Sequence, residues 1–142
     1  MRKAGRITGE ALLKAAENIK EGISTYELDK IIYDYIVKSG AKPSFLGYGG
    51  FPASACISLN EEVIHGIPRK DRILREGDIV KIDVGAYYKG FHGDSARTIP
   101  VGCVSEEAKK LIQVTRDSFY AGIAQLTVGQ RVGDVDDYFH IV

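Results

Sequence analysis

The sequence predicts an α+β fold, because helical and strand-forming patterns fall in separate runs along the chain. Apolar residues recur at helical spacing before Gly40, two strand patterns joined by a turn occupy the middle, and helical spacing returns after Ser105.

In the first helical segment Ile7, Ala11, Ala15 and Ile19 form one stripe, and Gly22 is a stop signal. Gly5 and Gly9 weaken this helix locally and mark places for close packing. Ser24-Thr25-Tyr26-Glu27 reads as a capping box, since Ser24 and Glu27 can satisfy each other's free amides. Leu28, Ile31, Ile32 and Tyr35 make the stripe of the next helix, which Ser39-Gly40 ends. After Pro43 comes an aromatic, glycine-rich loop, Phe45 to Pro52, and then a short strand from Ala55 to Leu59. His65-Gly66-Ile67-Pro68 and Glu76-Gly77-Asp78 read as turns. A strong strand runs from Ile79 to Ala86, followed by Tyr87-Tyr88-Lys89-Gly90 as a turn and a second strand from Phe91 to about Ile99.

Ser105 is a good N-cap, with Glu106 and Glu107 placed where a helix dipole favours negative charge. Ala108, Leu111, Ile112, Thr115, Phe119, Ile123 and Leu126 continue that helix's stripe. Gly129 breaks it, and Val132, Val135 and Phe139 begin another.

Bulk properties exclude several classes of function. Lys+Arg and Asp+Glu balance at 19 each, so no charge excess favours nucleic acid or an anionic membrane. A length of 142 residues with 44% hydrophobic content fits one globular domain with a real core. No apolar run approaches the ~20 residues that a spanning helix needs, and polar residues follow the basic start Met1 to Arg6. Cys56 and Cys103 match no paired zinc spacing and suggest a reducing, cytoplasmic setting.

The order of elements suggests an internal repeat. When Gly22 is laid on Gly129, 107 positions later, Leu12 meets Phe119, Ala16 meets Ile123 and Ile19 meets Leu126. Beyond the glycine, Glu27 meets Asp134, Leu28 meets Val135, Asp29 meets Asp136, and Ile31 and Ile32 meet Tyr138 and Phe139. Against this stands the general likeness of any two amphipathic helix pairs.

The strongest chemical signal is Asp83 with Asp94. A hairpin closing on Tyr87-Tyr88-Lys89-Gly90 pairs Ala86 with Phe91 and sets the two aspartates directly opposite. Like charges there destabilise a hairpin unless one carboxylate takes a proton, or cations ~3.5–4 Å apart sit between them. Val80, Ile82 and Val84 on the other face anchor the strand. A solvated edge hairpin, or a register that separates the charges, is the competing reading.

Longer stretches resemble a known family. Cys56 to Pro68 (CISLNEEVIHGIP), Asp78 to Gly85 (DIVKIDVG) and Gly90 to Asp94 (GFHGD) are similar to signature stretches of type I methionine aminopeptidases, and the likeness runs from about Arg2 to near Gly133. It implies the pita-bread fold, two similar αβ halves around a dinuclear metal site. On that basis the chain is a methionine aminopeptidase-like catalytic domain over 1–142, with the first repeat about 1–100 and the start of the second about 105–142. Asp83 is then expected to chelate one divalent ion and Asp94 to bridge two. Manganese, iron, cobalt and zinc all suit such ligands. His65 is expected to contact substrate near the scissile peptide, as a catalytic and substrate-binding residue. Phe45, Tyr48, Phe51 and Cys56 match the lining of the methionine pocket, where aromatic rings suit a thioether.

The resemblance also implies a histidine and two glutamates from a second half. The chain ends at Val142 before them, and neither His140 nor His92 stands in for the histidine. Met1 falls at a usually internal position, and the last seven residues fit the family pattern poorly. The expected function is removal of N-terminal methionine from nascent proteins, with little or no activity from these residues alone. Exposed sheet edges and apolar surface would then await a missing second half or self-association. The alternatives are a non-catalytic pita-bread binding module or half of a split enzyme. Proline-specific aminopeptidases share the paired aspartates, but HGIP at 65–68 and FHGD at 91–94 favour the methionine enzymes.

Overall fold

The computed structural model describes residues 1–129, Arg131 and Gly133. They fall in two compact units, Met1–Val104 and Ser105–Val142.

The first unit is built on apolar stripes that share one core. Helix α1, Arg2–Ala16, buries Ala4, Ile7, Thr8, Ala11, Leu12 and Ala15. It stops before Ile19, which still packs partly against the core. Helix α2, Thr25–Lys38, starts at the expected capping box: Ser24 Oγ accepts from the Glu27 amide at 3.2 Å, and the Ser24 amide donates to Glu27 at 2.9 Å. It buries Leu28, Ile32 and Ile36, with Ile31 and Tyr35 at the margin.

Four antiparallel strands follow: β1, Lys42–Pro43; β2, Ala55–Leu59; β3, Ile79–Tyr88; and β4, Phe91–Pro100. The long strand β3 is central, with β4 along one edge and β2 and β1 in succession along the other. Val80, Ile82, Val84 and Ala86 point into the core shared with the helices. Because side chains alternate along a strand, Lys81, Asp83, Gly85 and Tyr87 take the opposite face. Gly93 lets α1 lie close to β4, since a methyl there would come within 2.6 Å of Ala4 and of the Thr8 hydroxyl.

The hairpin register differs from the sequence expectation. The turn is the two-residue Lys89-Gly90, with φ of 47° and 86°, and Tyr88 rather than Ala86 pairs with Phe91. Two central residues at positive φ match the twist of the flanking strands, which favours the short turn over a four-residue loop. Asp83 therefore faces Ala96, and Asp94 faces Gly85. The slip is two residues, so both aspartates keep the same face; a slip of one would have separated them.

In the second unit, helix α3, Glu106–Ala124, begins at Ser105, whose hydroxyl accepts from the Ala108 amide. Of its apolar stripe, Leu111, Phe119, Ile123 and Leu126 are exposed, and Ser118 and Gly122 are the buried positions. Apolar spacing marks a face fit for burial without supplying its cover. The expected next helix at Val132, Val135 and Phe139, the repeat partners Asp134, Asp136 and Tyr138, and His140 lie outside the described residues.

Replacing Ser24 with Ala should lower stability by about 1 kcal/mol, because the hydroxyl that accepts from the Glu27 amide is lost while the backbone half of the capping box remains. Urea unfolding of the two proteins checks this, and equal midpoints with equal slopes would contradict it.

Candidate active site

Asp83 and Asp94 are diagonal neighbours on the sheet face turned away from the core. Their carboxyl groups lean together closely enough to share a hydrogen bond. Burial, followed by the Asp94 charge and that hydrogen bond, pushes Asp83 up to about 6; the nearby His65 acts in the opposite sense. Across the other edge of β3, Cys56 is the direct partner of Asp83. Burial, with added repulsion from Asp83, Asp94 and Asp29, raises the Cys56 thiol to about 11. At neutral pH it is a protonated, apolar wall rather than a nucleophile or thiolate ligand.

His65 reaches this neighbourhood from a loop strapped onto β2. Gly66 accepts from the Ile57 amide at 2.8 Å and donates its own amide to Ser58 Oγ at 2.9 Å. A methyl group at Gly66 would overlap the Ile57 carbonyl, so the strap closes only on glycine. His65 itself is exposed and holds a φ of 61°, an uncommon conformation for a side-chain-bearing residue.

The aromatic loop enters from β1. Phe45 lays its ring over Gly85, the residue paired with Asp94. This places Phe45 beside the aspartates. Phe51 is partly buried and Cys56 buried, whereas Tyr48 stands 82% exposed on the 3-10 turn Tyr48–Gly50. At the far end of the loop, Asp29 of α2 accepts from the amides of Ser54 and Ala55 at 2.8 and 2.9 Å. Burial raises the Asp29 carboxyl, against the lowering effect of those two amides.

The sequence held one unread signal here, a glycine inside a strand at Gly85, which marks a close approach by another group. Asp29 and Ser54 are 25 positions apart, and no local pattern announces their contact.

The aspartate pair fits a divalent cation. The part-buried Asp83 and the exposed Asp94 repel each other, and a cation between them would relieve both that repulsion and the cost of ionising Asp83. Among the described residues, no group of three or more His, Cys, Asp or Glu side chains is arranged to hold a metal ion. Also among them, no helix is long and apolar enough to cross a membrane.

A layered unit of helices on an antiparallel sheet, with paired carboxylates on its open face, matches a known class. The profile of metallopeptidase family M24 covers residues 1–142, and the chain belongs to that family. It is 53% identical over 135 residues to a methionine aminopeptidase of Clostridium acetobutylicum, covering 95% of this chain and 54% of that protein. To methionine aminopeptidase 1 of Bacillus subtilis it is 50% identical, with the same two coverages. The crystal structure of the Thermotoga maritima methionine aminopeptidase superposes with a TM-score of 0.94 at 40% identity, over 97% of this chain and 55% of that one. A prolidase from Pyrococcus furiosus gives 0.85 at 25% identity, over 98% and 40%. The fold is accordingly that of the pita-bread enzymes, and the chain spans about half the length of the curated relatives it matches.

Two outcomes test the site. With its pKa raised from 3.8 to about 6 in the fold, Asp83 adds stability in full below about 3.8, and that contribution is lost as pH rises through about 6. In chelator, Asp83→Asn should therefore flatten the fall in melting temperature between pH 4 and 7, and manganese should raise the parent's melting temperature more at pH 7 than at pH 5. A parallel pH profile for the variant would contradict this. Separately, Gly85→Ala should cost about 1–3 kcal/mol, because the new methyl would lie 2.7 Å from the Phe45 ring. Denaturant unfolding measures it, and an unchanged stability would mean that Phe45 does not rest there.

Proposed function

We propose that this chain supplies the paired-aspartate half of a metal-dependent aminopeptidase that removes methionine from the N-terminus of newly made proteins. The observation that carries the reading is the meeting of Asp83 and Asp94 on one face of a rigid strand pair. Higher identity to the methionine enzymes than to the prolidase favours methionine over proline specificity.

In this reading Asp83 and Asp94 would be the ligands that this chain contributes to a pair of divalent ions. When bound, such ions supply positive charge that polarises a peptide carbonyl and acidifies water. His65 contacts the substrate beside the scissile peptide and helps orient its carbonyl. Phe45, Tyr48, Phe51 and Cys56 line the pocket for the methionine side chain, whose thioether packs well against ring edges. Manganese, iron, cobalt and zinc all suit the carboxylate and imidazole donors.

Two carboxylates alone hold a divalent ion weakly, so the remaining ligands are assigned to a complementary half. The repeat supports that assignment: a shift of 107 positions carries α1 onto residues 109–123, inside α3. We take residues to about 100 as the first αβ repeat and those from about 105 as the start of the second. The two free cysteines suit a reducing cytoplasm.

The test is methionine release from a Met-Gly-type peptide with manganese, by the chain alone and in complex with the complementary half of the Clostridium acetobutylicum relative. The chain alone should release little or none, and the complex should cleave Met-Gly in preference to Xaa-Pro peptides. Asp83→Asn or Asp94→Asn should lower the complex's kcat/KM by at least about a hundredfold. Undiminished release by either variant, or preference for Xaa-Pro, would overturn the reading.

A further inference from the structure

We propose that His92, acting through Ser44, is a positioning residue that holds the Phe45 wall of the substrate pocket against the aspartate-bearing strands. The inference rests on the methionine-aminopeptidase reading above and adds two residues to its specificity apparatus.

His92 lies on β4 two residues before Asp94, on the same face, and is paired across the sheet with Tyr87. Its ring packs against Tyr87 with centroids 4.9 Å apart, which fixes the ring plane. Its Nδ1 then shares a hydrogen bond of 2.9 Å with Ser44 Oγ, 48 positions away in the chain. Ser44 is held a second time, by its amide donating to the Gly85 carbonyl at 2.9 Å. The next residue is Phe45, whose ring occupies the space that any side chain at position 85 would need.

Each link is short and directional. The Ser44 amide bond continues the β1–β3 ladder and fixes the segment beside β3, whereas the hydroxyl bond ties it to His92 on β4. Asp29 ties down the other end of the loop through Ser54 and Ala55, so the aromatic segment between is clamped at both ends. Only the Ser44 clamp reaches the face that carries both aspartates. A ring released there would widen the pocket without disturbing Asp83 or Asp94, which belongs to substrate fit rather than to chemistry.

Conservative variants separate the hydrogen bond from mere bulk. Asn at position 92 can present a polar atom near the place of Nδ1, and Thr at 44 retains the hydroxyl, whereas His92→Ala and Ser44→Ala remove the bond. In the 142-residue chain, His92→Ala and Ser44→Ala should speed hydrogen exchange of the Ser44 amide about fivefold to tenfold, the weight of one hydrogen bond. His92→Asn and Ser44→Thr should stay within about twofold of the parent. In the complemented complex, the two Ala variants should raise KM for a Met-Gly peptide about tenfold, leave kcat within about twofold, and narrow the preference for methionine over leucine. The Asn and Thr variants should restore KM. Unchanged exchange and KM in the Ala variants of an active complex would overturn the latch alone. A fall in kcat at constant KM would also overturn it, by placing His92 in the chemistry. A parent complex that releases no methionine would instead sink the function proposed above, and the latch's role in substrate fit with it.

Discussion

Two carboxylates that repel each other can be kept side by side only on a strand that has no freedom to move away. β3 is such a strand: Val80, Ile82, Val84 and Ala86 are packed in the core, hydrogen-bonded neighbours line both edges, and α1 presses on β4 through the space left by Gly93. Apolar burial of that face, roughly 25 cal/mol per Å², works against the strain that Asp83 and Asp94 impose on the other. Burial of the one face and repulsion on the other are therefore two sides of the same ten-residue element.

Around that strand the chain uses glycine wherever another group must come closer than a methyl allows. Gly66 admits the His65 loop to β2, Gly85 admits Phe45 to β3, and Gly93 admits α1 to β4. Each brings a different component to the sheet, respectively the exposed histidine, the aromatic wall and the supporting helix. The open face thus gathers polar and aromatic groups from loops while its rigidity comes from the core behind it.

Much of this was legible in the residue order. The stripe of α2, its Ser24–Glu27 cap and the limits of β2 follow from short-range periodicity and capping chemistry, and the structure repeats them. The hairpin was misread by two residues because Lys89-Gly90 is not the Asn-Gly pair that usually announces a two-residue turn, although Lys89 tolerates the positive φ. The apolar spacing of α3 is plain in the sequence, but its exposure depends on what lies opposite, and Leu111, Phe119, Ile123 and Leu126 stay exposed.

By itself the sequence determined the kinds of element, their order, the face on which each aspartate lies and the family to which the chain belongs, because these depend on local periodicity and on long matching stretches. Only the tertiary structure decided that Asp83 and Asp94 are diagonal rather than opposed, that Phe45 rests on Gly85, and that Ser44, His92 and Asp29 tie the aromatic loop to its surroundings. Those contacts join residues far apart in the chain, so they are set by strand register and three-dimensional packing, which no short window of sequence contains.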